Sequence, residues 1–191
     1  MLKIVVLISG GGSNLKAILE ATENSQYPVQ VLAVGADNDA SGLAHADNYG
    51  IPSFVVSPSN FANRAEWAVE LLAQIKSFQP DLVVLAGFMR ILPPAFVSAL
   101  SPNLINTHPS LLPLFPGAHG VHDAMVAGVK ETGVTIHVVD EGVDTGPHLA
   151  QARVEILPED TEESLHERIK VVERQLLVEV VERIAIGEIK L

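Results

Sequence analysis

Apolar residues run unbroken through LKIVVLI, residues 2–8, and several are β-branched, which predicts a strand buried on both faces. Helical spacing takes over in SNLKAILEA (13–21), with Ser13 or Asn14 as the capping residue. The alternation repeats. VQVLAVGA (29–36) reads as a second strand, SGLAHADNYG (41–50) as a short helix stopped by Gly50, and SFVV (53–56) as a third strand. NRAEWAVELLAQIKSF (63–78) is amphipathic at the helical period and is ended by Pro80. DLVVLAG (81–87) and NLINTH (103–108) supply a fourth and a fifth strand. Beyond them HDAMVAGV (122–129) reads as helix, and GVTIHVVD (133–140) and HLAQARVEIL (148–157) read as strands. A last helix opens at Thr161 and runs to about Ile184, with the stripe Leu165, Ile169, Val172, Leu176 and Val180. This alternation, without repeats or long linkers, predicts an α/β fold. A single domain over 1–191 is expected, with a mostly parallel twisted sheet and helices on both faces.

With 48% apolar residues the chain can bury a sizeable core, yet no run reaches the roughly 18 apolar residues of a membrane span. The N-terminal run is short, carries Lys3 and ends in glycines, so it reads as a first strand rather than a signal peptide. No cysteine is present, which excludes disulfides and thiolate metal sites. Together these features predict a cytoplasmic address and no membrane partner. A net charge of −11 argues against a nucleic-acid partner, because such surfaces rest on Lys and Arg neutralising phosphates. It leaves room for one small anion held by local donors.

SGGGSN (9–14) sits between the first strand and the first helix, where such a donor set is expected. A helix N-terminus offers unpaired N–H groups and partial positive charge, and glycines let a phosphate approach the backbone. Hydrogen bonds to a charged group are worth roughly 1.5–3 kcal/mol each, so three or four can hold a monophosphate. The dinucleotide fingerprint fails because Leu15 stands where a glycine is needed, and the P-loop fails because Ser13 follows Gly12. The plainer alternative is a tight strand–helix turn.

Asn106 and His108 are two apart at the end of a strand, so they point the same way while Thr107 points to the other face. Pro109 keeps His108 extended, and Pro113 and Pro116 stiffen the loop that follows. An amide N–H and an imidazole N–H aimed together can stabilise an oxyanion, and histidine can carry a proton near neutral pH. VDEGVDTGP (139–147) offers Asp140, Glu141 and Asp144. One carboxylate beside His108 would favour its charged form, and the sequence alone does not choose among the three. His119 and His122 lack metal-ligand context, so no metal is expected. His137 reads as a core residue or a support behind the site, and His45, His148 and His166 as surface or edge. Glu173 interrupts the shoulder of the last helix's apolar stripe, a boundary position that can also face a ligand.

VVLISGGGSNLKAIL, LAGFMRILPPAFV, INTHPSLLPLFPGAH and VDTGP together resemble the folate-dependent glycinamide ribonucleotide formyltransferases of purine synthesis. The likeness extends from Leu2 to the last helix. It implies a Rossmann-like formyltransferase catalytic domain. It also implies attack of the glycinamide ribonucleotide amine on the formyl carbon of the co-substrate 10-formyltetrahydrofolate, without a metal. On that resemblance Asn106 and His108 hold the oxygen of the tetrahedral intermediate, and Asp144 keeps the histidine protonated and assists proton transfer through water. Gly12, Ser13 and Asn14 match the substrate-phosphate loop, and Glu173 matches a ribonucleotide contact. The folate-binding parts are matched by Arg64, by Met89, Arg90, Ile91 and Leu92, and by Asn106 with Asp140, Glu141, Gly142, Val143 and Asp144. Small molecules are then the expected partners, with a homodimer left open. The chain departs from the pattern at Gly11, where many relatives carry Asn or Thr, at Leu114 in place of a basic residue, and in the spacing of HGVH.

Three other readings compete. Methionyl-tRNA formyltransferases share the catalytic fold but carry a basic loop after SLLP and an added C-terminal domain, whereas here the loop reads LFPG and the chain ends at Leu191. Formyltetrahydrofolate hydrolases carry an N-terminal regulatory domain, not expected ahead of a strand that starts at Leu2. A non-catalytic nucleotide-binding module would explain the glycine loop but leave Asn106, His108 and Asp144 idle.

Overall fold

The computed structural model describes residues 1–191. Seven strands form one sheet: β1 (Leu2–Ile8), β2 (Val29–Ala36), β3 (Ser53–Val55), β4 (Leu82–Leu85), β5 (Leu104–His108), β6 (Glu131–Val138) and β7 (His148–Glu155). Their order is β3-β2-β1-β4-β5-β6-β7. The first five run parallel, and β6 pairs antiparallel with both β5 and β7. Five helices connect strands, α1 (Ser13–Thr22), α2 (Leu43–Asn48), α3 (Arg64–Ser77), α4 (Pro94–Leu100) and α5 (Gly120–Val126), and a sixth, α6 (Glu162–Ala185), follows the last strand. The expected α/β architecture, a mostly parallel sheet covered on both faces, is therefore observed.

Strand alternation divides the core in two. Ile4, Val6 and Ile8 of β1 pack with Leu15, Ile18 and Leu19 of α1 and Ile169 and Leu177 of α6. Val5 and Leu7 turn to the other face, where Trp67, Leu71 and Ile75 of α3 and Phe96 of α4 cover them. The chain leaves β1 toward β2 on one side and returns to β4 on the other. The carboxyl ends of β1 and β4 thus flank the switch point where open α/β sheets bind ligands.

Several boundaries differ from the expectations, each for a local reason. Neither Ser13 nor Asn14 caps α1; Gly12 occupies that position with a left-handed backbone, φ 67°, and no side-chain cap. β4 ends at Leu85 because Gly87, at φ 80°, turns the chain out of the sheet. Helix α4 was hidden behind Pro93 and Pro94, yet a proline in the first turn lacks only an N–H that the helix leaves free. α5 begins at Gly120, ahead of the expected start at 122. The last helix matches its reading: Thr161 and Ser164 form a reciprocal capping box.

Candidate active site

Two pockets open at the carboxyl edge of the sheet, one on each face. The larger, about 550 Å³, is bounded by the loop Ser9–Asn14, by Gly87 and Thr107, and by Lys170, Glu173 and Arg174 of α6. The loop turns its carbonyls away from this space. Gly10 O accepts from the Gly42 N–H at 3.0 Å, and Gly11 O faces His45 Nε2 at 3.1 Å. The first hydrogen bond of α1 runs from Lys16 N–H to Gly12 O, 2.8 Å, so the amides of the first turn before it remain free for a ligand. A Cβ at Gly12 would lie 3.1 Å from Gly42 Cα, so this glycine serves close packing of the loop on α2 as well as its left-handed turn. Asn14 is buried in the same wall, and its side-chain oxygen has no hydrogen-bond partner. Lys170, paired with Glu167 at 2.7 Å, brings local positive charge to a strongly acidic chain.

The smaller pocket, about 130 Å³, lies on the opposite face between Leu85, Phe88, Leu92, Val97 and Asn106 and the loop Asp140–Asp144. Phe88 is backed by the parallel ring of Trp67, centroids 6.3 Å apart, and the Trp67 indole N–H donates to Val56 O at 2.7 Å. Arg90 reaches over the pocket and is held there by buried Asp37, Nε to Oδ2 2.5 Å. The Met89 N–H donates to Ser9 Oγ at 2.8 Å, which ties the chain just ahead of Arg90 to the glycine loop of the larger pocket.

Between the pockets, β5 presents its residues alternately. Asn106 turns into the smaller pocket and Thr107 into the larger, and the Thr107 hydroxyl donates to Glu173 Oε1 at 2.5 Å. Asn106 pairs across the antiparallel ladder with His137, so Asn106 Nδ2 comes within 3.5 Å of His137 Nε2. His108 is buried on the same face as Asn106. Its Nδ1 lies 3.3 Å from Asp144 Oδ2, and its Nε2 lies 2.8 Å from the Phe115 carbonyl. Both ring nitrogens therefore face oxygen atoms, one of a carboxylate and one of a backbone carbonyl.

Of the three carboxylates, Asp144, the one the resemblance picks out, is the one that reaches His108. Asp140 Oδ1 is occupied within its own turn by the Gly142 N–H and the Thr145 hydroxyl, and Glu141 accepts from Ser98. Asp144 instead touches both histidines, with its second oxygen 3.6 Å from His137 Nε2, and accepts from the Gly117 N–H at 2.8 Å. Burial pushes its carboxyl upward. The His137 hydrogen bond, the Gly117 N–H and the charges of His108 and His137 outweigh that push and hold it below its ordinary value. Asp144 and Phe115, whose oxygens face the two ring nitrogens of His108, both carry left-handed backbones, φ 54° and 55°. Such strained positions persist where the surroundings over-determine them.

The structure thus gathers Asn106, Asp144, Arg90, Ile91, Leu92, Asp140, Glu141, Gly142 and Val143 around one pocket, and Gly12, Ser13, Asn14 and Glu173 around the other. Met89 stands on the wall of the larger pocket rather than the smaller, and Arg64, at the start of α3, lines neither. Sequence reasoning did not single out Thr107, Lys170 or Asp37, and gave His137 no specific contact. Their roles depend on which helix and strand pack together, which spacing along the chain does not encode. No helix is long and apolar enough to cross a membrane.

Comparison with known proteins is consistent along the whole chain. Residues 2–181 match the family model described as formyl transferase. The chain is 50% identical over 183 residues to a phosphoribosylglycinamide formyltransferase of Mycobacterium tuberculosis, covering 96% of this chain and 85% of the relative. It is 41% identical over 191 residues to the Escherichia coli protein of that name, covering 100% and 90%. The crystal structure of glycinamide ribonucleotide transformylase 1 from Symbiobacterium toebii superposes with a TM-score of 0.96 at 38% identity, covering 100% of this chain and 91% of that one.

Proposed function

We infer the division of labour between the two pockets from one premise: the chain belongs to the formyl transferase family. It transfers a formyl group from a formyl-folate to glycinamide ribonucleotide in purine biosynthesis. The donor in this reading is 10-formyltetrahydrofolate, residues 1–191 act as one catalytic domain, and the transfer needs no metal. A cytoplasmic address suits an enzyme of these small-molecule substrates.

The ribonucleotide occupies the larger pocket. Its phosphate meets the free amides of the Gly12–Asn14 turn, with Lys170 supplying positive charge, and Glu173 accepts from the ribose hydroxyls. The formyl-bearing end of the folate enters the smaller pocket, which has room for one ring system, and the rest lies along exposed Ile91 and Val143. Arg64 lies outside that cavity, and its proposed folate contact is with the outer part of the molecule.

The amine of the ribonucleotide then approaches the formyl carbon at the sheet edge by Asn106. As the new C–N bond forms, the carbonyl π pair moves onto oxygen, and the Asn106 Nδ2–H stabilises the oxyanion. His108 joins by exchanging the Phe115 carbonyl for this oxygen at Nε2, while Asp144 keeps hold of Nδ1. The attacking nitrogen gives its proton, through water, to the Asp144 carboxylate. The oxyanion pair re-forms the carbonyl as the bond to the folate nitrogen breaks, and that nitrogen takes a proton from imidazolium. Return of the Asp144 proton to His108 closes the cycle.

The observation that carries this reading is the alternation along β5, which aims Asn106 into one pocket and Thr107 into the other. The test is to follow folate product from 10-formyltetrahydrofolate with and without glycinamide ribonucleotide. Turnover that requires the ribonucleotide is expected, and equal turnover without it would make the protein a hydrolase instead.

A further inference from the structure

Glu173 is buried near the middle of α6, among Ile169, Leu176 and Leu177. A carboxylate in such a place needs donors, and the protein supplies one, the hydroxyl of Thr107. That hydroxyl reaches only Oε1, at 2.5 Å, and both side chains lie on the wall of the larger pocket. Oε2 is left as an acceptor on a carboxylate whose rotamer is already fixed. We propose that Thr107 is a positioning residue for ribonucleotide recognition: its hydroxyl locks Glu173 so that the second carboxylate oxygen receives the ribose hydroxyls.

The inference rests on the ribonucleotide reading of this pocket. Its physical content is preorganisation. Without Thr107, Glu173 has several rotatable bonds to order when the ligand arrives, and its buried charge lacks a donor until then. With Thr107 in place, that ordering precedes binding. Because Thr107 and Asn106 point to opposite faces, the effect is confined to the ribonucleotide side. The glycine loop, which takes the phosphate, makes no hydrogen bond to Thr107 or Glu173.

The test uses Thr107→Val, which keeps the shape and removes the hydroxyl, with Thr107→Ser restoring it and Thr107→Ala as a second deletion should the valine variant fail to fold. Steady-state kinetics give the KM for each substrate and kcat, and inorganic phosphate serves as a competitive probe of the glycine loop. The expected result is a ribonucleotide KM raised about tenfold, the scale of one hydrogen bond to a charged group. The folate KM and the phosphate inhibition constant should stay within about twofold of wild type. Thr107→Ser should return the ribonucleotide KM to near its original value. An unchanged ribonucleotide KM in the hydroxyl-deleted variants would overturn the proposal, as would a parallel rise in the phosphate constant or a serine variant no better than valine. Failure of wild type to use the ribonucleotide at all would instead remove the reading of the pocket, so the two failures are distinct.

Discussion

The Asp144 carboxylate meets the His108 ring with Oδ2 only 3.3 Å from Nδ1, and the Gly117 N–H fixes the same oxygen at 2.8 Å. This contact orients the ring and turns the opposite nitrogen toward Phe115 O. Asp144→Asn preserves the shape but removes the charge that favours imidazolium. General acid–base contributions are typically about 10²–10⁴-fold, so kcat should fall on that scale. Ribonucleotide affinity, measured separately by calorimetry, should hold, because the glycine loop is untouched. Near-normal kcat would detach Asp144 from the chemistry.

The same carboxylate predicts a pH dependence of stability. Asp144 keeps its charge to lower pH when folded than when unfolded, so its ionisation stabilises the native state. That contribution is complete above the ordinary value of 3.8 and disappears as pH falls through the lower folded value. Urea midpoints of wild type and Asp144→Asn should therefore be separated at neutral pH and converge in acid. A gap that persisted or widened in acid would contradict this.

In the glycine loop, Gly12 and Gly11 should respond differently to alanine. Gly12 combines φ 67° with a Cβ position 3.1 Å from Gly42 Cα, whereas a Cβ at Gly11 meets nothing within 4 Å. A left-handed backbone costs a side-chain-bearing residue about 1–2 kcal/mol, so Gly12→Ala should lower the melting temperature and raise the ribonucleotide KM. Gly11→Ala should leave the melting temperature alone. Equal stability of the two variants would remove the packing role assigned to Gly12.

Gly120 lies against the contact between His108 and the Phe115 carbonyl. A Cβ there would come within 3.0 Å of Phe115 O and 3.1 Å of His108 Nε2. Gly120→Ala should displace the carbonyl or the ring and lower kcat about tenfold or more, since small misplacements of reacting groups are costly. Ribonucleotide binding should change less than about twofold. Loss of binding with kcat intact would locate the effect elsewhere.

The sequence carried the parity of Asn106, Thr107 and His108, because alternation in a strand follows from backbone geometry alone. It also flagged Glu173, as an acid on an apolar shoulder. It could not find Thr107 as the partner of Glu173, since the two are 66 residues apart and meet only when α6 packs on the sheet. His137 was legible as a core residue or a support behind the site, but not its contact, because its place opposite Asn106 depends on β6 running antiparallel to β5. Nor could spacing show that His108 Nε2 faces a backbone carbonyl, because Phe115 O is aimed by a left-handed turn rather than by any side chain.

The alternation along β5 also makes the enzyme sensitive to arithmetic. One residue inserted within Leu104–His108 would exchange the two faces downstream of it, sending hydroxyl, amide and imidazole to the wrong substrates while leaving an apolar strand that still pairs. Two inserted residues would restore the odd–even count, although not the reach. The turn at Ser101 and Pro102, ahead of the first cross-strand hydrogen bond at Asn103 O, can absorb length without this inversion. Tolerance of insertions in this segment should therefore depend on whether their number is odd or even inside the strand, and hardly on their chemistry.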